Sequence, residues 1–291
     1  DADVTVRHLT TLAFVKIAHE ETGRQELLVQ KSAPVLLRLA DDSEVAVRRD
    51  CLDCVAVLSR SGEGMRALIE IGFVKVIVGR CRKATDGGAP NPVVQKAALM
   101  ALRQICQNDF GYMEAIECGA IETAVFILTN GDDEMRIQAA YCLAVLTGGQ
   151  QEKSVALKEG IMESLVMMLH TNMTTEVKTA AAAALMSMTN GTRFPNGDNA
   201  CKASAVNAGA IDALIPLLQS GIQLELQQGI KHTNSALTVY VTKCMANIAD
   251  APKGRKQLQG CVDDLEALSK VSEPLLRKHA LIAIERVTWK P

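Results

Sequence analysis

The sequence predicts an all-α chain, a solenoid of about six three-helix repeats behind one leading helix. Three observations carry that expectation. First, one pattern returns along the whole chain. It reads as an aliphatic residue, often a basic residue soon after, small residues at the fifth and eighth places, and aliphatics at the ninth and twelfth. Its copies start at Val6, Val47, Val94, Met135, Val177, Leu237 and Leu276, at successive offsets of 41, 47, 41, 42, 60 and 39 residues. Second, a Gly-led pattern runs in phase with it, at Gly72, Gly119, Gly160, Gly209 and Gly260, with a degenerate copy near Gln30. Third, only 3% of the 291 residues are aromatic, so the core must be filled by Ala, Leu, Val, Ile and Met. Those residues favour close helix–helix packing over a β-sandwich.

The elements of each unit follow in order. A short first helix leads to the Gly, where a Cβ would clash or φ must be positive. A second helix follows, as in the apolar run after Pro34-Val35-Leu36-Leu37. Acidic turns such as Asp41-Asp42-Ser43-Glu44 and Asn130-Gly131-Asp132-Asp133-Glu134 then supply caps and favourable charge to a third helix. On that third helix, Ala139, Ala140, Leu143 and Leu146 recur at three- and four-residue steps, the spacing of one buried face. The division is a single domain, 1–291: a lone helix within 1–19, then repeats at about 20–60, 61–108, 109–148, 149–191, 192–250 and 251–291. Three stretches are longer than the unit requires: 80–92, 190–199 and 220–235. Gly, Pro, Asn and Asp dominate the first two, which reads as loops. Insertions in a solenoid fall on one face and can mark a binding site. The opening helix presents Leu9, Leu12 and Phe14 at an edge, so residues before Asp1, or a partner over that end, are expected.

Composition excludes several classes. With 31 basic and 33 acidic residues the formal net charge is −2, which argues against a basic nucleic-acid face. No stretch of about 18 apolar residues exists to cross a membrane. The nine cysteines are scattered in apolar runs, the pattern of buried thiols in a reducing compartment, and a cytoplasmic location is expected.

Motifs for chemistry are missing. There is no phosphate-binding Gly-rich loop and no Gly-x-Ser-x-Gly elbow. His19-Glu20-Glu21 starts like a zinc-protease helix, but Gly23 stands where the second His belongs. His8, His19, His170, His232 and His279 are too dispersed for a local metal cluster and read as surface or helix-end residues. Cys51 and Cys54 have redox or zinc spacing. Their register explains them better: they occupy the fifth and eighth places, which hold Ala98 and Ala101, then Ala139 and Cys142, in the next two repeats. Cys packs there as a small hydrophobe. Met168, Leu185 and Met188 likewise fall on core places, while Met186 is expected to face the groove. The expectation is a protein without catalytic residues, cofactor, metal or small-molecule substrate.

The repeating unit resembles the armadillo repeat. The resemblance rests on Glu117-Cys118-Gly119-Ala120-Ile121 through Leu128, Asp132-Asp133-Glu134 and the run Ala139 to Leu146, and equally on Asn207-Ala208-Gly209-Ala210-Ile211 to Leu217-Leu218. It implies a right-handed α-solenoid whose third helices line a concave surface for a partner protein. Importin-like members read basic peptides with Trp at the seventh place and Asn at the eleventh. Only Asn247 fits that ladder here, and no Trp does, which argues against a nuclear-import receptor. The register places Arg49, Asp53, Arg60, Lys96, Arg103, Gln104, Gln107, Tyr141, Asn190, Lys243 and Asn247 on the groove. Arg49, Arg60, Lys96 and Arg103 are expected to form one basic patch for an acidic partner segment, as in catenin-like members, with Asp53 inside it. The function implied is a protein–protein interaction scaffold. Plain repeats and a closing Trp289-Lys290-Pro291 are also similar to armadillo components of ciliary radial spokes, which implies a cytoskeletal assembly. A chaperone cofactor or regulatory adaptor that binds a folded enzyme domain is the alternative.

Overall fold

Residues 2–82, 91–170, 172–191, 199–228 and 235–290 are described by the structure, a computed structural model. They form nineteen α-helices, with one 3-10 turn and no strand among the described residues. First helices are α2 (Glu21–Val29), α5 (Gly62–Glu70), α8 (Asp109–Glu117), α11 (Gln150–Lys158), α14 (Asn199–Asn207) and α17 (Pro252–Leu258). Second helices are α3 (Ala33–Leu39), α6 (Phe73–Arg82), α9 (Ala120–Asn130), α12 (Ile161–Met168), α15 (Ala210–Gln228) and α18 (Val262–Ser269). Third helices are α4 (Val45–Leu58), α7 (Pro92–Ile105), α10 (Asp133–Leu146), α13 (Thr175–Thr189), α16 (Ser235–Ile248) and α19 (Pro274–Thr288), and α1 (Val4–His19) stands as a leading third helix.

The chain divides into two compact units, Asp1–Leu146 and Thr147–Pro291. In the first, α1 packs on α4, α4 on α7 and α7 on α10, while α2, α5 and α8 follow one another along the other side. In the second, α13 packs on α16 and α16 on α19, with α11, α14 and α17 in sequence. Both cores are the register made solid. First-place Val47, Val94, Met135, Val177 and Leu276 are buried. So are the small fifth and eighth places, from Cys51 and Cys54 to Ala181 and Ala184. The ninth and twelfth places, Val55/Leu58, Leu102/Ile105, Leu143/Leu146 and Leu185/Met188, are sealed as well. Small side chains at the crossing let neighbouring third helices approach closely, and the larger aliphatics fill the remaining space. The buried Cys51 and Cys142 thiols point at the Leu36 and Leu99 carbonyls, 3.0 and 3.2 Å away.

Two glycine patterns set the helix junctions. Gly72, Gly119, Gly160 and Gly209 have φ between 71° and 83°, the left-handed conformation the break requires. At the degenerate copy Lys31 takes that role with φ 53°. Gly260 departs from expectation, because it sits inside the 3-10 turn Gln259–Cys261 and not at a positive-φ break. A second glycine pattern arises only from helix packing. Gly23, Gly64, Gly111 and Gly254, each third in its first helix, lie against a backbone carbonyl near the end of the preceding third helix.

Elsewhere the structure corrects three readings. The stretch 220–235 is not all loop: residues up to Gln228 continue α15, and 229–234 lie outside the described residues. Of the other two insertions, Arg80–Arg82 end α6, Asn91 caps α7 through its side chain and Asn199 opens α14; residues 83–90 and 192–198 lie outside the described residues. In α1 the expected apolar edge is only partly open: Leu9 is exposed, as are Val6 and Ile17, but Leu12 and Phe14 are half-buried, and Thr11 and Ala18 are buried. That helix packs on α4 and on α2.

Candidate protein-binding site

In each unit, residues three, seven, eleven or fourteen places along successive third helices meet at a cleft. In the first unit the cleft, about 520 Å³, lies among α4, α7 and the start of α10. Its floor is apolar, with Val93, Met100 and Met135, and its rim carries Arg49, Asp53, Lys96, Asp132 and Glu134. The rim therefore sets two cations against three carboxylates. Arg49 turns both Nε and Nη2 onto Asp50 Oδ1, at 2.8 and 2.5 Å. Asp50 is buried, and its other oxygen lies 3.1 Å from His8 Nε2. Lys96 pairs with Glu134 across the helices. Asp132 Oδ1 accepts the Met135 N–H at 2.9 Å and so caps α10. Among the described residues Asp53 makes no hydrogen bond or ion pair; burial pushes its carboxyl above the usual range, against the opposing pull of Arg49.

The expected basic patch is thus not assembled as a free patch. Arg49 and Lys96 reach the cleft, each engaged by a carboxylate. Arg103 lies over the Tyr141 ring, 4.5 Å from its centroid, and is half-buried there. Gln104 donates to Gln107 at 3.1 Å on the same turn. Arg60 and Gln107 are exposed outside the lining. The reason is a spacing the helix register alone does not show: the acidic N-terminus of α10 packs beside the third place of α7.

The second unit builds a smaller cleft, about 260 Å³, from Met186 and Asn190 of the α13 end, Lys243, Ala246 and Asn247 of α16, and His279, Ile282 and Arg286 of α19. Asn247 is buried and tied in place: its Nδ2 donates to the Met186 carbonyl at 3.4 Å and its Oδ1 accepts from Arg286 at 3.1 Å. Asn190 is exposed, and its carbonyl accepts from Lys153. Behind the cleft, Asp250 Oδ2 takes Lys202 at 2.9 Å and Arg286 at 3.4 Å; the Lys202 and Asp250 side chains are 2% and 7% exposed. His279, expected at the surface, instead lines the cleft half-buried. Burial first, then Lys243 and Lys278, lower its pKa below the ordinary imidazole value. Arg286 was legible as an eleventh-place residue. Lys202 carried no signal, because it comes from a first helix. No group of three or more His, Cys, Asp or Glu that could hold a metal exists among the described residues.

The arrangement can be set beside known structures. An engineered protein from a structural genomics consortium superposes over 100% of this chain and 66% of its own, with TM-score 0.80 and 23% identity. A designed armadillo repeat protein covers 88% of this chain and 99% of its own, with TM-score 0.71 and 21% identity. The fold is the armadillo-repeat fold. A second designed armadillo repeat protein, solved in complex with the peptide (KR)4, matches over 88% of this chain and 99% of its own, with TM-score 0.70 and 21% identity. The sequence relatives are much longer than this chain. Protein cellulose synthase interactive 3 of Arabidopsis thaliana is 26% identical over 258 residues, 84% of this chain and 12% of its own length. Vacuolar protein 8 of Schizosaccharomyces pombe is 27% identical over 175 residues, 60% of this chain and 31% of its own. The chain therefore spans less than a third of the length of these relatives. No protein-family model matches it.

Proposed function

We propose that this chain is a non-catalytic protein-interaction scaffold, in which the third-helix face of each unit holds a segment of a partner. The observation that carries this reading is the convergence of three successive third helices on one cleft in each unit, with an apolar floor and a charged rim. Such a stack repeats side chains at a spacing that suits an extended chain. A designed protein of the same fold in complex with the peptide (KR)4 supports peptide binding by this architecture. Partner proteins within a larger complex, and residence in the cytoplasm or a ciliary or other cytoskeletal assembly, belong to the proposal. The names of the relatives refer instead to cellulose synthase and to the vacuole.

Site-specific photo-crosslinking tests the reading. A benzophenone residue is placed at Met100 or Lys243 in the clefts, and at Phe110 or Phe126, which are exposed on first and second helices. Specific partner adducts from Met100 or Lys243 support the cleft face. Adducts confined to Phe110 or Phe126 assign binding to the other helices and reject it.

A further inference from the structure

Three of the four cations expected to read an acidic partner in the first unit are engaged, Arg49 by Asp50, Lys96 by Glu134 and Arg103 by Tyr141, and the fourth, Arg60, is exposed outside the cleft lining. The cleft of the second unit is different. It is lined by Lys243, His279 and Arg286 and, among the described residues, by no carboxylate. The neighbouring acid, Asp250, is shared between Lys202 and Arg286, so one negative charge answers two positive ones before Lys243 is counted. Lys243 makes no ion pair among the described residues and is half-buried at the wall. Arg286 is held by three contacts of Nη1 alone, to the Ala246 carbonyl at 3.4 Å, Asn247 Oδ1 at 3.1 Å and Asp250 Oδ2 at 3.4 Å. Its Nε and Nη2 make no hydrogen bond among the described residues, which leaves donors of the planar fork free for an anion.

We infer that this cleft is a carboxylate-binding site, which takes an Asp or Glu side chain of an extended partner segment between Lys243 and Arg286. The inference rests on the scaffold reading and names its partner chemistry. A volume of about 260 Å³ suits one side chain, being smaller than the roughly 300–1,000 Å³ of pockets for free small ligands. Met186 and Ile282 offer apolar wall for the methylenes of that side chain. Charge-assisted hydrogen bonds from a lysine and a fixed arginine fork are the strong kind. Lys202 and Asp250 act as positioning residues: they hold the guanidinium at the wall, and the excess of positive charge remains for the ligand.

The test is a selection of twelve-residue displayed peptides on the intact 291-residue chain at low salt, with soluble peptides measured by fluorescence anisotropy. Enriched peptides are expected to carry Asp or Glu, and changing that residue to the amide should weaken binding tenfold or more. Lys243→Glu should do the same, Lys243→Arg should retain binding, and Lys158→Glu, exposed on the first helix α11 and outside both clefts, should leave it unchanged. Lys243→Gln, checked for an unaltered thermal midpoint, guards against loss through misfolding. Peptides without acidic residues, or acidic peptides captured equally by Lys243→Glu, overturn the carboxylate site and leave the scaffold standing. Capture of no peptide by the folded chain overturns both.

Discussion

Asp53 illustrates how a single residue can work against stability at a site. It faces the first cleft half-buried, without a hydrogen bond, and burial raises its pKa. The folded chain then holds its proton more tightly than the unfolded chain does. The ionised carboxylate is therefore a cost at neutral pH, and the cost disappears once pH falls below the ordinary carboxylate range, where both states are protonated. Asp53→Asn should raise the urea midpoint at pH 7, by no more than about 0.5 kcal/mol because solvent still screens a half-buried group. The gain should fade in unfolding curves recorded at pH 3. Backbone strain gives a second residue-scale expectation. Gly160 sits at φ 78° with open space around a would-be Cβ, so strain alone opposes a side chain there. Gly160→Ala should cost about 1 kcal/mol, while Lys31→Gly, at φ 53°, should gain up to about 0.5 kcal/mol, both read by thermal unfolding.

The junction between a third helix and the next first helix depends on closeness of backbone, not on conformation. A Cβ on Gly111 would stand 2.5 Å from the Ile105 carbonyl oxygen and 2.9 Å from Met65 Sδ. Gly111→Ala should push α8 off the end of α7 and cost about 1–3 kcal/mol, as overpacking does. Gly62→Ala is the matched control, since Gly62 also lies in a first helix but has nothing within 4 Å of its Cβ position. Equal effects of the two changes in chemical denaturation would reject the close-approach account.

Across the whole molecule, the nine thiols report how well the repeats are sealed. Eight are buried, and Cys118 is the one of intermediate exposure. Burial pushes Cys54 and Cys142 up to about 12 and raises Cys118 less steeply, so few thiolates exist to react. Iodoacetamide at pH 8.5 should label the native protein once, at Cys118, with the others reacting only after unfolding; mass spectrometry of the digest reads this directly. Changing Cys51 and Cys54 together to Ala should cost about 2 kcal/mol or less, because equivalent places carry Ala in neighbouring repeats. A stoichiometric zinc lost on that double change would overturn their packing role.

The sequence by itself determined the repeat, because the fold's core is built from contacts between fixed places of one pattern. Val47, Cys51, Cys54, Val55 and Leu58 are buried for a reason visible at Met135, Ala139, Cys142, Leu143 and Leu146. Periodicity records which face of a helix is apolar, and a solenoid needs little more. Four of the Gly breaks were legible on the same ground, whereas Gly23, Gly64, Gly111 and Gly254 were not, since their need arises from a carbonyl of another helix. The binding surface was legible only as a set of places. Register put Arg49, Lys96, Lys243 and Asn247 near the clefts, but not the partners that neutralise or hold them. Glu134 reaches Lys96 from 38 residues away, and Lys202 reaches Asp250 from 48. Charge at a site is a sum over everything within a few ångströms, and that sum exists only after the helices have packed. Tertiary structure therefore decided that the first cleft is rimmed by more acid than base, and that the unanswered positive charge lies in the second.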